Sequence, residues 1–224
     1  MIEKENLDEN GSAKVPGKRR ASKEFRREQL INATIDTLAR KGFAATTLAD
    51  VAVAANLSRG IVNFHFESKE KLLFQTLQYI ADSYALNWQQ ELKRVEGKSA
   101  ASQLHSLVGS DLNEKVCSPR LVSAWLGFYT EAQTRPAFQD LCWARDEVYL
   151  NELRTRCEFL KQEGGYAFEP GKTADAIYAM QEGLWLRLML GSKSLKRETA
   201  LQVAFALLGT LFPRHFDISG KPRK

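Results

Sequence analysis

TTLADVAVAANLSRGIVNFHFESKEKLL, residues 46–73, is the stretch whose reading decides the fold. Thr47, with Asp50 three positions on, makes a capping box in which Asp replaces the usual Glu or Gln. It opens a short helix rich in Ala and Val that runs to about Ala54. Asn56-Leu57-Ser58 reads as a turn, and Ser58 as the N-cap of a second short helix through Phe64. Ser68 caps a long helix with the stripe Leu73, Leu77, Ile80, Tyr84, Trp88 and Leu92, whose spacings of three and four belong to a helix face. Upstream, Ile31, Ile35 and Leu38 mark a further helix. Gly42 ends it, after Arg40 and Lys41 have placed charge suited to a helix C-terminus. A helix, a short helix, a tight turn and a second short helix make the spacing of a helix-turn-helix.

Charge collects on the same stretch. The 224-residue chain carries 32 Lys+Arg against 27 Asp+Glu, a net +5 that is uninformative by itself. Residues 14–72 hold 12 basic and 6 acidic side chains, whereas residues 73–224 hold 19 and 17. A basic segment on a nearly neutral body suits a polyanion. The second short helix, 58–66, opens on Ser58, Arg59 and Gly60. Gly60 permits close approach to a duplex, Arg59 reaches phosphate or a guanine edge, and Asn63 one turn on can read adenine. His65 and Lys69 flank them as phosphate partners, and Thr46 and Thr47 offer hydroxyls at a helix N-terminus. Lys14, Lys18, Arg19, Arg20 and Lys23 precede the first helix, placed to track the DNA backbone or enter the minor groove.

Two short helices occur in many all-α proteins, so spacing alone leaves DNA binding open. The residues themselves add to it: 46–73 resembles the signature of the TetR family of repressors. The likeness covers the threonine-rich start, Ser58-Arg59-Gly60, Phe64-His65-Phe66 and Lys69. It implies that 59–66 lie in the major groove, that Lys69 touches phosphate and that the protein is a homodimer. Phe64 departs from the family, which often has Tyr there with its hydroxyl on a phosphate; Phe64 would pack on sugar or a thymine methyl instead.

The remaining chain reads as helix at about 99–115, 119–133, 137–163, 171–190 and 195–211, with Pro119, Pro136 and Pro170 at or just before helix starts. The expected fold is all-α: an N-terminal three-helix, helix-turn-helix DNA-binding domain followed by a larger helical bundle for ligand binding and dimerisation. The expected limits are a flexible basic tail over 1–22, the DNA-binding domain over 23–70, the bundle over 71–213 and a frayed tail over 214–224. Ile177, Leu184, Leu188, Leu201, Phe205 and Leu208 on the last two helices would suit a helix-pair interface between subunits.

Trp125, Phe128 and Tyr129 share one helix face, and Tyr178, Glu182 and Trp185 share another. Rings and an acid on facing helices suit a quaternary ammonium, although aromatic stripes at helical spacing also build plain core. AWLGFYTEAQTRPAF (124–138) and EGLWLRLMLG (182–191) resemble the choline-responsive branch of the TetR family. There the second motif usually begins with Asp, so Glu182 moves the carboxylate by one methylene. The likeness implies choline or a related amine as effector. Remaining alternatives are a TetR-like regulator of another small-molecule or drug-efflux system, and a helical enzyme using Glu131, Glu182 or His105.

No GxSxG, Walker loop, HExxH or CxxC is present, so the chain offers no catalytic, cofactor or metal motif. Cys117, Cys142 and Cys157 have no disulfide spacing. The N-terminus lacks an apolar signal core, and Val203–Phe212 is too short to span a bilayer, so the protein is expected in the cytoplasm.

Overall fold

A computed structural model describes residues 17–191 and 195–223, with side chains from residue 22 onward. Among them are α1 (Gly17–Lys41), α2 (Leu48–Ala54), α3 (Arg59–His65), α4 (Lys69–Arg94), α5 (Ala100–Asp111), α6 (Pro119–Ala132), α7 (Pro136–Gly164), α8 (Pro170–Met189) and α9 (Arg197–Leu211). Among the described residues no helix is long and apolar enough to cross a membrane.

The helix starts follow the capping residues. Thr47 Oγ1 accepts from the Asp50 amide, and Asp50 Oδ2 accepts from the Thr47 amide, closing the box. Lys41 Nζ lies 2.6 Å from Asp50 Oδ1, tying the end of α1 to the start of α2 and, together with Thr47, holding the Asp50 carboxyl below its ordinary range. Asn56 takes the left-handed conformation (φ 52°) that turns α2 into α3, which Asn tolerates better than most residues. Ser58, Ser68 and Ser118 cap α3, α4 and α6 through their side-chain oxygens. Pro119, Pro136 and Pro170 each sit in the first turn of a helix, where no amide partner is lost.

α4 joins the two halves. It packs against α1 near the DNA-binding half, and its Leu73, Leu77, Ile80, Tyr84 and Trp88 are buried. The boundary expected at 70/71 therefore falls inside one continuous helix. α6 packs on α1, α5 and α7 pack along α4, and α8 packs on α6, α7 and α9.

Three expectations need correction. Helix α1 begins at Gly17, so residues 17–22, expected in a flexible tail, continue the helix; residues 1–16 lie outside the described part. The C-terminal segment is packed, not frayed. Phe216 is fully buried, Phe216 bridges Pro222, and the Asp217 carboxylate accepts from the Ser219 and Lys221 amides. The supposed subunit stripe is largely internal: Ile177, Leu184 and Leu208 are buried within the chain and Leu188, Leu201 and Phe205 pack against its core. Leu186 of α8, Leu190 just past its end and Val203 of α9 are exposed large apolar side chains.

Candidate functional site

The candidate reading head is α3 with the ends of its neighbours. Ser58, Arg59, Gly60, Asn63 and Phe64 all face outward, and Val62 alone anchors the helix in the core. Phe64 is 75% exposed, with Lys23 Nζ 5.9 Å from its ring. A Cβ on Gly60 would meet only Ser58 Oγ at 3.7 Å, so no neighbour in the fold demands glycine there. Thr47 is exposed, while Lys69 is half-buried at the start of α4. Two residues differ from expectation. Thr46 is buried and donates to the Gly42 carbonyl at 2.8 Å, so its hydroxyl braces the α1–α2 turn. His65 is half-buried; desolvation first, then Lys23, Arg27 and Arg26, lowers its pKa, which disfavours the charge expected of a phosphate partner.

The second site is a cavity of about 110 Å³ between α5, α6, α7 and α8. That is several times the roughly 10–15 Å³ one water needs. Trp125 and Tyr129 enter from α6, and Tyr178, Glu182 and Trp185 from α8, as their spacing implied. Phe128 does not join them. It points to the opposite side and stacks edge-on against Phe43 and Phe138, because neighbouring positions on α6 diverge by about 100° around the axis.

Charged groups complete the cavity. Arg145 of α7, its side chain 6% exposed, lies with Cζ 3.8 Å from the Tyr84 ring centre, 4.2 Å from that of Trp125 and 5.3 Å from that of Trp185. Arg145 Nη1 donates to Asp146 Oδ1 at 2.9 Å, and the Tyr178 hydroxyl donates to the same oxygen at 2.7 Å. The Tyr129 hydroxyl donates to Asp146 Oδ2. Asp111 closes the inner end: Oδ1 accepts from the Tyr84 hydroxyl at 2.6 Å, and its main-chain carbonyl accepts from Trp185 Nε1 at 3.0 Å. Its Oδ2 is buried without a partner among the described residues. Burial pushes the Asp111 carboxyl up to about 6. Glu182, at the rim, is also raised, by partial burial and then by Asp146.

Comparisons with known proteins place both parts of the chain in known families. Residues 30–76 match the family "Bacterial regulatory proteins, tetR family", and residues 100–213 match "BetI-type transcriptional repressor, C-terminal". The chain belongs to the TetR family, with a BetI-type C-terminal part. A curated relative from Paraburkholderia phymatum, "HTH-type transcriptional regulator BetI", is 32% identical over 184 residues, covering 81% of this chain and 90% of the relative. Its counterpart from Paraburkholderia phytofirmans is 31% identical over 188 residues, covering 81% and 91%. Among solved structures, a putative transcriptional regulator from Pseudomonas aeruginosa PAO1 aligns with TM-score 0.73 and 24% identity over 85% of this chain and 91% of that one. Another, from Saccharomonospora viridis in complex with choline, aligns with TM-score 0.70 and 19% identity over 83% and 96%. This TetR-family protein is thus a DNA-binding regulator of the BetI type and not an enzyme.

In the regulator the cavity has a mechanical neighbour. On α6, five residues before Trp125, Arg120 Nε lies 2.5 Å from Asp36 Oδ1 of α1, and its Nη2 donates to the Asn32 carbonyl and side-chain oxygen. Sequence reasoning missed Asp111, Arg145, Asp146 and Gln181, since isolated charges in long helices read as solvated. The register of α7 held a signal: Phe138, Cys142, Tyr149 and Leu153 are its buried stripe, and Arg145 falls between Cys142 and Tyr149 on that same face.

Proposed function

We propose that this repressor binds a palindromic operator as a homodimer and is released by a small cationic effector, choline or another quaternary amine. The observation carrying this reading is that α6 bears both Trp125 and Tyr129 at the cavity and Arg120 on α1. A ligand that shifts α6 would shift the helix that leads into the reading head.

For DNA, the supporting features are the outward Ser58, Arg59, Gly60, Asn63 and Phe64, with exposed Thr47, half-buried Lys69 and Lys23 of α1, its Nζ 5.9 Å from the Phe64 ring. A single helix per subunit reads few bases, and a twofold partner doubles the contacts at half-sites one turn apart. Leu186, Leu190 and Val203 supply an exposed apolar face for that partner. The reading head comprises 23–70 and the effector and dimer part 71–213, working in the cytoplasm. For the effector, the support is Trp125, Tyr129, Tyr178 and Trp185 beside Asp111 and Glu182, together with the names of the relatives and the choline bound in one structural neighbour. Ring faces and carboxylates attract a cation that has left water.

Binding to the DNA upstream of its own gene, measured across salt concentrations with and without choline, tests the reading. Binding that falls steeply with salt and is released by choline is expected. DNA binding that no quaternary amine changes removes the effector and leaves the regulator.

A further inference from the structure

The cavity proposed for the effector already holds a cation. The ring faces of Trp125 and Trp185, which the proposed function assigns to a quaternary amine, carry the guanidinium of Arg145, with Tyr84 as a third ring. Two cations cannot share these faces in a water-poor cavity without strong mutual repulsion. We propose that Arg145 is a resident cation occupying the effector's place in the ligand-free subunit, and that a quaternary amine binds by displacing its guanidinium from the rings. This rests on the cationic reading of the cavity given above and adds to it the group the effector must compete with.

The guanidinium is built to be held and to leave. Arg145 Nη1 donates to Asp146 Oδ1, but Nε is buried with no acceptor among the described residues. A guanidinium gripped through a bidentate fork on a carboxylate would be harder to move. Asp146 does not depend on Arg145 for its position, because the Tyr129 and Tyr178 hydroxyls hold both of its oxygens. The surroundings stay electrically suited to a replacement, since Asp111, Asp146 and Glu182 outnumber Arg145 around the cavity. One cation exchanged for another leaves those carboxylates compensated.

A place for the displaced side chain adjoins. A second chamber of about 130 Å³ shares Trp125, Arg145 and Trp185 with the first as its wall, and it reaches Tyr84, Asn32 and Ile35 of α1, Lys115 and Arg120. A guanidinium moved into that chamber stands near Arg120, the side chain that holds Asn32 and Asp36. Repulsion there pushes on Arg120, and through its bonds to Asn32 and Asp36 on α1. Displacement thereby gives the effector different contacts in two states, as any ligand-driven switch requires.

The test uses the full chain labelled with isotope at the arginine nitrogens. In the ligand-free protein the Arg145 Nε–Hε resonance, assigned by its loss in Arg145→Lys, is shifted by ring currents from Tyr84, Trp125 and Trp185. Saturating choline or tetramethylammonium is expected to move it away from that ring-shifted position. Arg145→Met is expected to bind either ion about tenfold more tightly than wild type, because the binding-competent fraction no longer waits on a resident cation. Should Arg145→Met fail to fold, the titration of the wild type decides alone. An Arg145 resonance that stays in place while tryptophan fluorescence reports saturation overturns displacement and leaves the quaternary-amine reading standing. Equal or weaker binding by a folded Arg145→Met does the same. No saturable response to either ion, in wild type or variant, overturns both.

Discussion

Arg120 Nη2 donates to the Asn32 main-chain carbonyl at 3.0 Å and to the Asn32 side-chain oxygen at 3.1 Å, joining α6 to α1 across 88 positions of sequence. With the pair to Asp36 it makes one guanidinium a clamp on the helix that leads into the reading head. The Arg120 and Asp36 side chains are 36% and 55% exposed, so the clamp adds little stability, of order 0.2–1 kcal/mol for such a pair. The proposed function gives it the role of transmission. Arg120→Met is expected to leave DNA affinity within about twofold while reducing effector-driven release by roughly 5- to 20-fold, within the usual range of coupling energies. Operator binding at fixed choline, compared in variant and wild type, checks this; unchanged release would move the coupling elsewhere.

Arg59 supplies the corresponding experiment at the other end. It is exposed in the first turn of α3 and draws no resolved partner from the fold. Arg59→Ala is expected to leave the melting temperature unchanged, to weaken operator binding by about 1–3 kcal/mol if it reads a base edge, and to flatten the salt slope by about one if it neutralises a phosphate. Fluorescence anisotropy on operator DNA across salt concentrations separates these. Unaltered affinity and slope would mean that Arg59 does not face DNA.

The helix-turn-helix was legible because each of its ends is set locally, by Thr47, Asp50, Ser58 and Ser68 acting on amides within three residues. Five of the six residues expected at the cavity line it, legible as i, i+4 and i+7 positions on single helices. Phe128 was misplaced because sharing a helix face with Trp125 did not settle whether the ring turns to the cavity or to Phe43 and Phe138. Arg145 was marked only by its place on the buried stripe of α7, and Asp111 by nothing local, because the significance of both lies in what surrounds them from other helices. The C-terminal segment was misjudged because its anchors, Gly209 and Gly220, act only by lacking a Cβ where another chain segment passes.

Gly220 makes that last point measurable. Its φ is +78°, and a Cβ there would lie 2.0 Å from the Phe205 carbonyl oxygen on α9. Gly220→Ala therefore meets both backbone strain and a clash, together about 1–3 kcal/mol. At roughly 2–4 °C per kcal/mol for a chain of this size, a thermal melt should show a fall of several degrees. Unchanged melting would mean the 213–223 segment is not seated on α9.

Asp111 gives the stability a pH dependence. Its folded carboxyl titrates near 6 against an ordinary 3.8, raised chiefly by burial and only partly countered by Tyr84, Arg145, Trp185 and Gln181 around it. The folded chain thus holds this proton longer than the unfolded chain. The favourable contribution is complete below about pH 3.8 and is lost as pH rises through about 6, on the order of 2–3 kcal/mol. Asp111→Asn keeps an acceptor for the Tyr84 hydroxyl and cannot ionise. It is expected to be more stable than wild type at pH 7.5 and to lose this component of the slope between pH 4 and 7 (about the interval the two values bracket) in urea denaturation. A difference between the two proteins that does not change with pH would contradict the raised carboxyl.

Trp185 tests whether the rings bind or merely fill space. It lies between Tyr84 and the cavity, with Nε1 on the Asp111 carbonyl, so Trp185→Ala removes a ring face and a buried contact together. Truncation costs about 3–5 kcal/mol of stability, and Trp185→Phe, which keeps a ring, costs less. Ligand at a hundred times its dissociation constant stabilises a protein by about 2.7 kcal/mol, a shift of several degrees in a melt. Wild type is expected to show that shift with choline, Trp185→Phe a reduced one and Trp185→Ala none, while all three bind DNA at a temperature where they remain folded. Core packing alone would make both variants less stable yet leave the increment added by choline intact in each. It is that increment, and not the baseline, that distinguishes a binding ring from a packing ring.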